Sequence, residues 1–75
     1  MLMPLAMLPP CRRAFVKNIL GGRGLIRRLT ELGFTPDAEV HVFKSPPGPI
    51  LVSVRGSRVA IGWGVAMKIL VEVVE

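Results

Sequence analysis

The chain has no tyrosine, one tryptophan, three phenylalanines, one cysteine, one histidine and five acidic residues among its 75. Each scarcity removes a class of function. A single cysteine, Cys11, cannot form an intrachain disulfide. Cys11 and His41 are the two soft metal-ligand candidates, and they show neither CxxC nor HxxxH spacing. A closed structural zinc site needs four ligands, so one chain is expected to hold no metal. A shared site would require two chains meeting across a symmetry axis. Cys11 instead reads as a turn residue before a strand, and His41 as an exposed strand residue. The few carboxylates offer no acid–base pair and no nucleophile–base pair is visible, so neither a catalytic residue nor an enzyme is expected. Gly21-Gly22-Arg23-Gly24 lacks the GKS/GKT ending and the GxGxxG spacing of nucleotide loops, reads as a hinge, and calls for no cofactor. A spanning helix needs about 20 consecutive apolar residues, and charges, glycine or proline interrupt every apolar run here first. Met1 to Leu8 is apolar but short, carries Pro4 and has no basic residue before it, unlike a signal peptide. No membrane insertion is expected, and the reading is of a cytoplasmic protein.

What is present is aliphatic side chains and positive charge. Hydrophobic residues make up 51% of the chain and charged residues 20%, which favours a folded domain over disorder. The length allows one domain, residues 1–75, with a core of small aliphatics and little reserve, to which homo-oligomerisation or a large partner would add stability. Ten Lys and Arg against five Asp and Glu give a net charge of +5, which suits an acidic protein surface, a nucleic acid or an anionic membrane face.

Periodicity places the elements. Ala14 and Val16 alternate against Lys17 in a first strand within Arg12–Leu20. Leu25, Leu29 and Leu32 recur at i, i+4 and i+7, with Ile26 beside them, in one apolar helical face. Arg23, Arg27, Thr30 and Glu31 take the other side, and Arg28 flanks the stripe. Gly33 reads as a left-handed C-terminal cap that lets Phe34 fold back onto Leu29, and Pro36 forbids continuation. Val40 and Val42 alternate with His41 and Phe43. Pro46-Pro47-Gly48-Pro49 reads as a stiff loop. Ile50, Val52 and Val54 then face one way. Gly56-Ser57 is a Gly-first hairpin signal, Val59 and Ile61 return inward, a single turn is expected over Val65–Lys68, and Ile69–Val73 closes the chain. The expected fold is mainly β: a small SH3-like five-stranded barrel with one short helix inserted after the first strand.

The segments Arg28-Leu29-Thr30-Glu31-Leu32-Gly33-Phe34-Thr35-Pro36, Pro47-Gly48-Pro49 and Val54-Arg55-Gly56-Ser57-Arg58-Val59-Ala60, with Ala66, Ile69 and Val71 beyond, resemble the FeoA family over nearly the whole chain. That family comprises small accessory proteins of ferrous-iron uptake, and the same module is appended to iron-dependent repressors. Two positions depart from its pattern: Cys11 and Asp37 stand where the family usually has glycine. Trp63 between two glycines is a third unusual feature, either a lid over the barrel end or an exposed anchor of the kind enriched in binding hot spots.

The resemblance implies a non-enzymatic cytosolic protein of transition-metal-ion homeostasis that binds the cytoplasmic part of a FeoB-type GTPase permease, and through it reaches the inner face of the membrane. Arg23, Arg27, Arg28 and Trp63 are the candidate partner-binding residues, with Arg55 and Arg58 as a second patch. One alternative is a small basic barrel binding nucleic acid, which the missing aromatic stacking platform disfavours. Another is a metal-responsive regulatory module.

Overall fold

The computed structural model describes residues 1–44 and 47–74. Six antiparallel strands lie in one sheet: β1 (Leu2–Pro4), β2 (Arg13–Ile19), β3 (Glu39–Lys44), β4 (Ile50–Val54), β5 (Ser57–Ile61) and β6 (Ile69–Val73). Their order is β1-β6-β2-β3-β4-β5. Helix α1 (Arg23–Glu31) follows β2, and a single turn, α2 (Trp63–Ala66), follows β5. The sheet wraps around one core built from Leu5, Leu8, Val16, Leu29, Phe34, Val40, Val42, Ile50, Val52, Val54, Ile69 and Val71, all at most 1% exposed. Strict alternation puts these residues inward: Val40 and Val42 are buried while His41 and Phe43 face out. No ladder joins β5 to β1 among the described residues, so the barrel is curled and left open.

The sixth strand is an addition to the five expected. Leu2, Met3 and Pro4 pair with Glu72, Val71 and Leu70 at the sheet edge, where a proline costs no ladder bond. A 3-10 turn at Leu5–Met7 then drops Leu5, Ala6 and, just beyond it, Leu8 into the core. The segment lacks the period-two signal of a strand because the chain pairs for only three residues before it turns inward. Part of the Pro46–Pro49 loop reading falls on Pro46, which lies outside the described residues.

The helix exit matches the expectation bond for bond. Gly33 N–H donates to Thr30 C=O at 3.0 Å and Phe34 N–H to Leu29 C=O at 2.9 Å, the paired bonds of a Schellman ending, with Gly33 at φ +111°. Phe34, fully buried, takes the place expected of Leu32, which is 40% exposed. The reversal at Gly33 carries the chain inward one residue past the end of the apolar stripe. Ile26 is likewise 38% exposed, so α1 docks through Leu29, with Leu25 partly buried beside it.

The β4–β5 hairpin turns at Arg55-Gly56 rather than at Gly56-Ser57. Both loop residues have positive φ, 47° and 79°, and Val54 pairs with Ser57. That is the type I′ geometry whose twist matches the strands it joins. Similarly, α2 begins two residues before the turn expected at Val65, because Gly62 is extended (φ −64°, ψ 152°) and its carbonyl accepts from Ala66 N–H.

Cys11 and Asp37 occupy left-handed backbone, at φ 68° and 65°. For a non-glycine residue this costs roughly 1–2 kcal/mol, partly offset by the lower chain entropy of a residue with a side chain. Asp tolerates the region; a thiol side chain has no such local compensation. Cys11→Gly is therefore expected to raise the thermal midpoint by a few degrees, since 1 kcal/mol moves a domain of this size by roughly 4–8 °C. A calorimetric midpoint below that of the parent chain would show that Cys11 makes a stabilising contact outweighing its backbone strain.

Candidate interaction surface

The six candidate residues fall on three elements. Arg23, Arg27 and Arg28 are exposed on α1; on an α-helix Arg23 and Arg27 are neighbours at i, i+4, while Arg28 lies about 100° further round. Arg55 and Arg58 flank the β4–β5 turn. Trp63 opens α2, which packs against the 3-10 turn at Leu5–Met7.

Their environments differ. Arg55 donates from Nε and Nη2 to Thr35 Oγ1, at 3.0 and 2.7 Å, and so ties the hairpin to the exit of α1. A side chain at Gly33 would meet Arg55 Cβ at 3.6 Å, which shows how closely the two segments approach. Arg58 lies over the Phe43 ring, 4.9 Å from its centroid. Both hairpin arginines therefore have work inside the fold. Arg27 meets Glu31 at 3.6 Å, but the two side chains are 84% and 67% exposed, where an ion pair contributes little. Arg23 and Arg28 have no ion-pair or side-chain hydrogen-bond partner among the described residues. Trp63 is 53% exposed, with about half of its surface open to solvent at the start of α2.

The acidic residues are already engaged. Asp37 accepts from Lys17 Nζ at 2.7 Å, Glu39 meets Arg13 at 3.1 Å and His41 at 3.3 Å, and Glu72 meets the Met1 amino group. With Glu31 at Arg27, every described carboxylate sits beside a positive or protonatable group. The positive surplus thus resides on Arg23, Arg28, Arg55 and Arg58 and on residues the sequence did not single out, Arg12, Lys44 and Lys68. The hydrogen bond and charge of Asp37 raise the pKa of Lys17. The lysine's contribution to that pair is present at neutral pH and is lost as pH climbs through the raised lysine pKa.

Helix α1 begins against its own electrostatics. Its N-cap is Gly22, with no side-chain cap, its first turn has no acidic residue, and Arg23 sits at the positive end of the helix dipole. Local stability alone would favour Ser or Asp at Gly22 and an acid at Arg23. The helix keeps a cation there instead.

No group of three or more His, Cys, Asp or Glu side chains converges to hold a metal among the described residues. The fold does bring Cys11 next to β3, where its N–H donates to Val42 C=O at 3.0 Å, yet Cys11 and His41 gain no third ligand there. Nor is any helix among the described residues long and apolar enough to cross a membrane.

A family model described as the FeoA domain matches residues 3–73. The chain belongs to the FeoA family. An Fe(2+) transport protein A from Methanocaldococcus jannaschii is 39% identical over 69 residues, covering 92% of this chain and 84% of that protein. A crystal structure of an iron uptake regulatory protein, FeoA, superposes with a TM-score of 0.93 at 41% identity, covering 99% of this chain and 100% of that one. FeoA of Stenotrophomonas maltophilia, complexed with zinc and described as a prokaryotic SH3 domain protein, gives a TM-score of 0.81 at 36% identity, covering 93% and 89%. The SH3-like expectation therefore holds. The module shared with metal-dependent repressors is also present: a manganese-dependent transcriptional repressor matches at TM-score 0.87 and 20% identity, a likeness of fold alone.

Proposed function

We propose that this FeoA-family chain is a non-enzymatic accessory protein of ferrous-iron uptake that acts by binding the cytoplasmic part of a FeoB-type GTPase permease through the cationic face of α1. The supporting observation is the set of arginines on α1. Arg23 and Arg28 lack partners among the described residues, Arg27 has only a solvent-exposed one, and Arg23 sits at the helix end where a cation costs stability. Such an uncompensated cationic face suits an acidic partner surface. The rigid curled sheet holds the helix, and Trp63, exposed on α2, supplies a candidate aromatic contact.

The test is titration of the purified cytoplasmic domain of such a permease against this chain. The reading predicts saturable binding that weakens with salt as exposed charges are screened. Equally tight binding to unrelated single-stranded or duplex nucleic acid, with a slope against salt set by phosphate contacts, would favour the nucleic-acid reading instead.

The zinc in the S. maltophilia structure belongs to that protein. For this chain, with Cys11 and His41 short of a third ligand, the expected result of equilibrium dialysis with ferrous or zinc ion is no stoichiometric binding by the monomer. One ion per chain, or per two chains, released by Cys11→Ser or His41→Ala, would replace this with a metal-responsive role.

A further inference from the structure

Beside α1 the sheet leaves one strand edge unused. β2 pairs with β3 only at Arg13, Ala14 and Phe15, and past Val16 the two strands diverge at the turn through Asp37 and Ala38. From Lys17 to Ile19 the strand is paired on its β6 side alone, after a register shift between Val16 and Asn18. Leu20 gives its N–H to the carbonyl of Lys68, just before β6, so by antiparallel alternation the Ile19 N–H and C=O point to the other side. There the Ile19 N–H finds only the side-chain oxygen of its own neighbour, Asn18, at 2.9 Å. Opposite this edge stands α1. Val16, Ile19, Ile26, Phe34 and Pro36 line a small groove of about 150 Å³ between them, with Thr30 on its wall. Thr30 turns its hydroxyl back to Ile26 C=O at 2.7 Å, so the helix side of the groove is mostly apolar, while Lys17 and Asn18 complete the lining on the strand side.

The groove fits a side chain rather than a cofactor, since small-molecule pockets run to roughly 300–1,000 Å³. It combines an unpaired backbone edge with an apolar pocket one strand-width away, the two elements of strand addition, in which main-chain bonds give affinity and alternate side chains enter pockets. Its rim is cationic. Around the helix Arg23 and Arg27 come next after Ile26 and Thr30 on the solvent side, while Lys17 on the strand side is already paired with Asp37. We infer that this groove binds an extended acidic segment of the permease partner, which adds to the edge at Ile19, seats one aliphatic side chain between Ile26 and Phe34, and sets its carboxylates against Arg23 and Arg27. The inference rests on the partner proposed above and specifies how that partner is gripped.

The experiment uses synthetic peptides tiled across the cytoplasmic region of a FeoB-type permease, titrated into the ¹⁵N-labelled chain. An acidic tile with an aliphatic residue is expected to shift the amides of Lys17, Asn18, Ile19, Ile26 and Phe34. Ile26→Asp is expected to weaken it about tenfold, and Ile26→Leu to restore it. Methylating the one peptide nitrogen that faces Ile19 should abolish binding, because strand addition needs that donor. This arm leaves the protein unaltered and so stands even if Ile26→Asp fails to fold. Silence from every tile, shifts centred on the β4–β5 hairpin, or indifference to N-methylation would overturn the groove. If the intact permease domain binds and the groove amides stay still, the partner stands and the groove is lost. If an acidic tile docks in the groove and the intact domain does not bind, the groove stands and the partner is lost.

Discussion

Leu29→Asp is expected to abolish the cooperative thermal transition of this domain. Leu29 is 1% exposed and is the one residue of α1 that is fully buried. Removing a buried leucine to alanine costs about 2–5 kcal/mol through lost burial and the cavity left behind. An unpaired carboxylate in the same place adds a desolvation penalty. At roughly 0.05–0.15 kcal/mol per residue, a chain of this length has about 4–11 kcal/mol in all. The substitution therefore consumes most or all of the available stability. Leu32→Asp serves as the comparison. The two leucines lie on one sequence stripe, yet Leu32 is 40% exposed beyond the helix end, and its change is expected to move the midpoint only slightly. Circular dichroism melts of the two variants separate a docked helix from a loosely attached one. Equal melting of both would mean that α1 does not anchor through Leu29.

That contrast shows where the sequence was readable. Alternation of Val40 with Val42 and of Ile50, Val52 and Val54 fixed strands and their inward faces, because a period of two survives any local detail of the turns. Gly33 followed by Phe34 specified a helix ending, since the positive φ and the inward reversal come together. The N-terminal strand was not legible: three residues of edge pairing followed by an apolar 3-10 turn look like an undifferentiated apolar run. The hairpin was placed one residue late because Arg55, a poor candidate for positive φ, adopts it at 47° under the constraint of strand twist. The candidate surface was legible as charge and not as accessibility. Nothing in the spacing showed that Arg55 would be spent on Thr35 or that Arg58 would lie over Phe43, because both contacts cross between segments distant in sequence. The groove beside Ile19 depends on where β3 leaves β2, which no local pattern encodes.

The second large effect concerns association rather than stability. Arg27 and Arg28 are both exposed, and Arg27 has only a solvent-exposed contact with Glu31, so replacing both with glutamate leaves the core untouched. Arg28 lies in the last turn, where the helix dipole favours a cation, and a glutamate at position 27 would face Glu31 at i, i+4, so the midpoint is expected to fall slightly while the fold is kept. For a partner of negative potential the same change converts attraction into repulsion. Charges at an interface rim mainly set the association rate and its salt dependence, and like-charge contacts oppose binding outright. The effect is therefore expected first in the association rate and in the loss of its dependence on ionic strength. Hairpin reversals at Arg55 and Arg58 are expected to behave differently, since each breaks a contact within the fold and lowers the midpoint.

The most direct measurement is the dissociation constant of the permease cytoplasmic domain for the Arg27→Glu/Arg28→Glu chain at low and at physiological ionic strength, with the thermal midpoint recorded beside it. A rise of about tenfold or more at low salt, with the midpoint lowered only slightly, is the predicted result. An unchanged constant in a normally folded double variant would remove α1 from the interface and contradict the account.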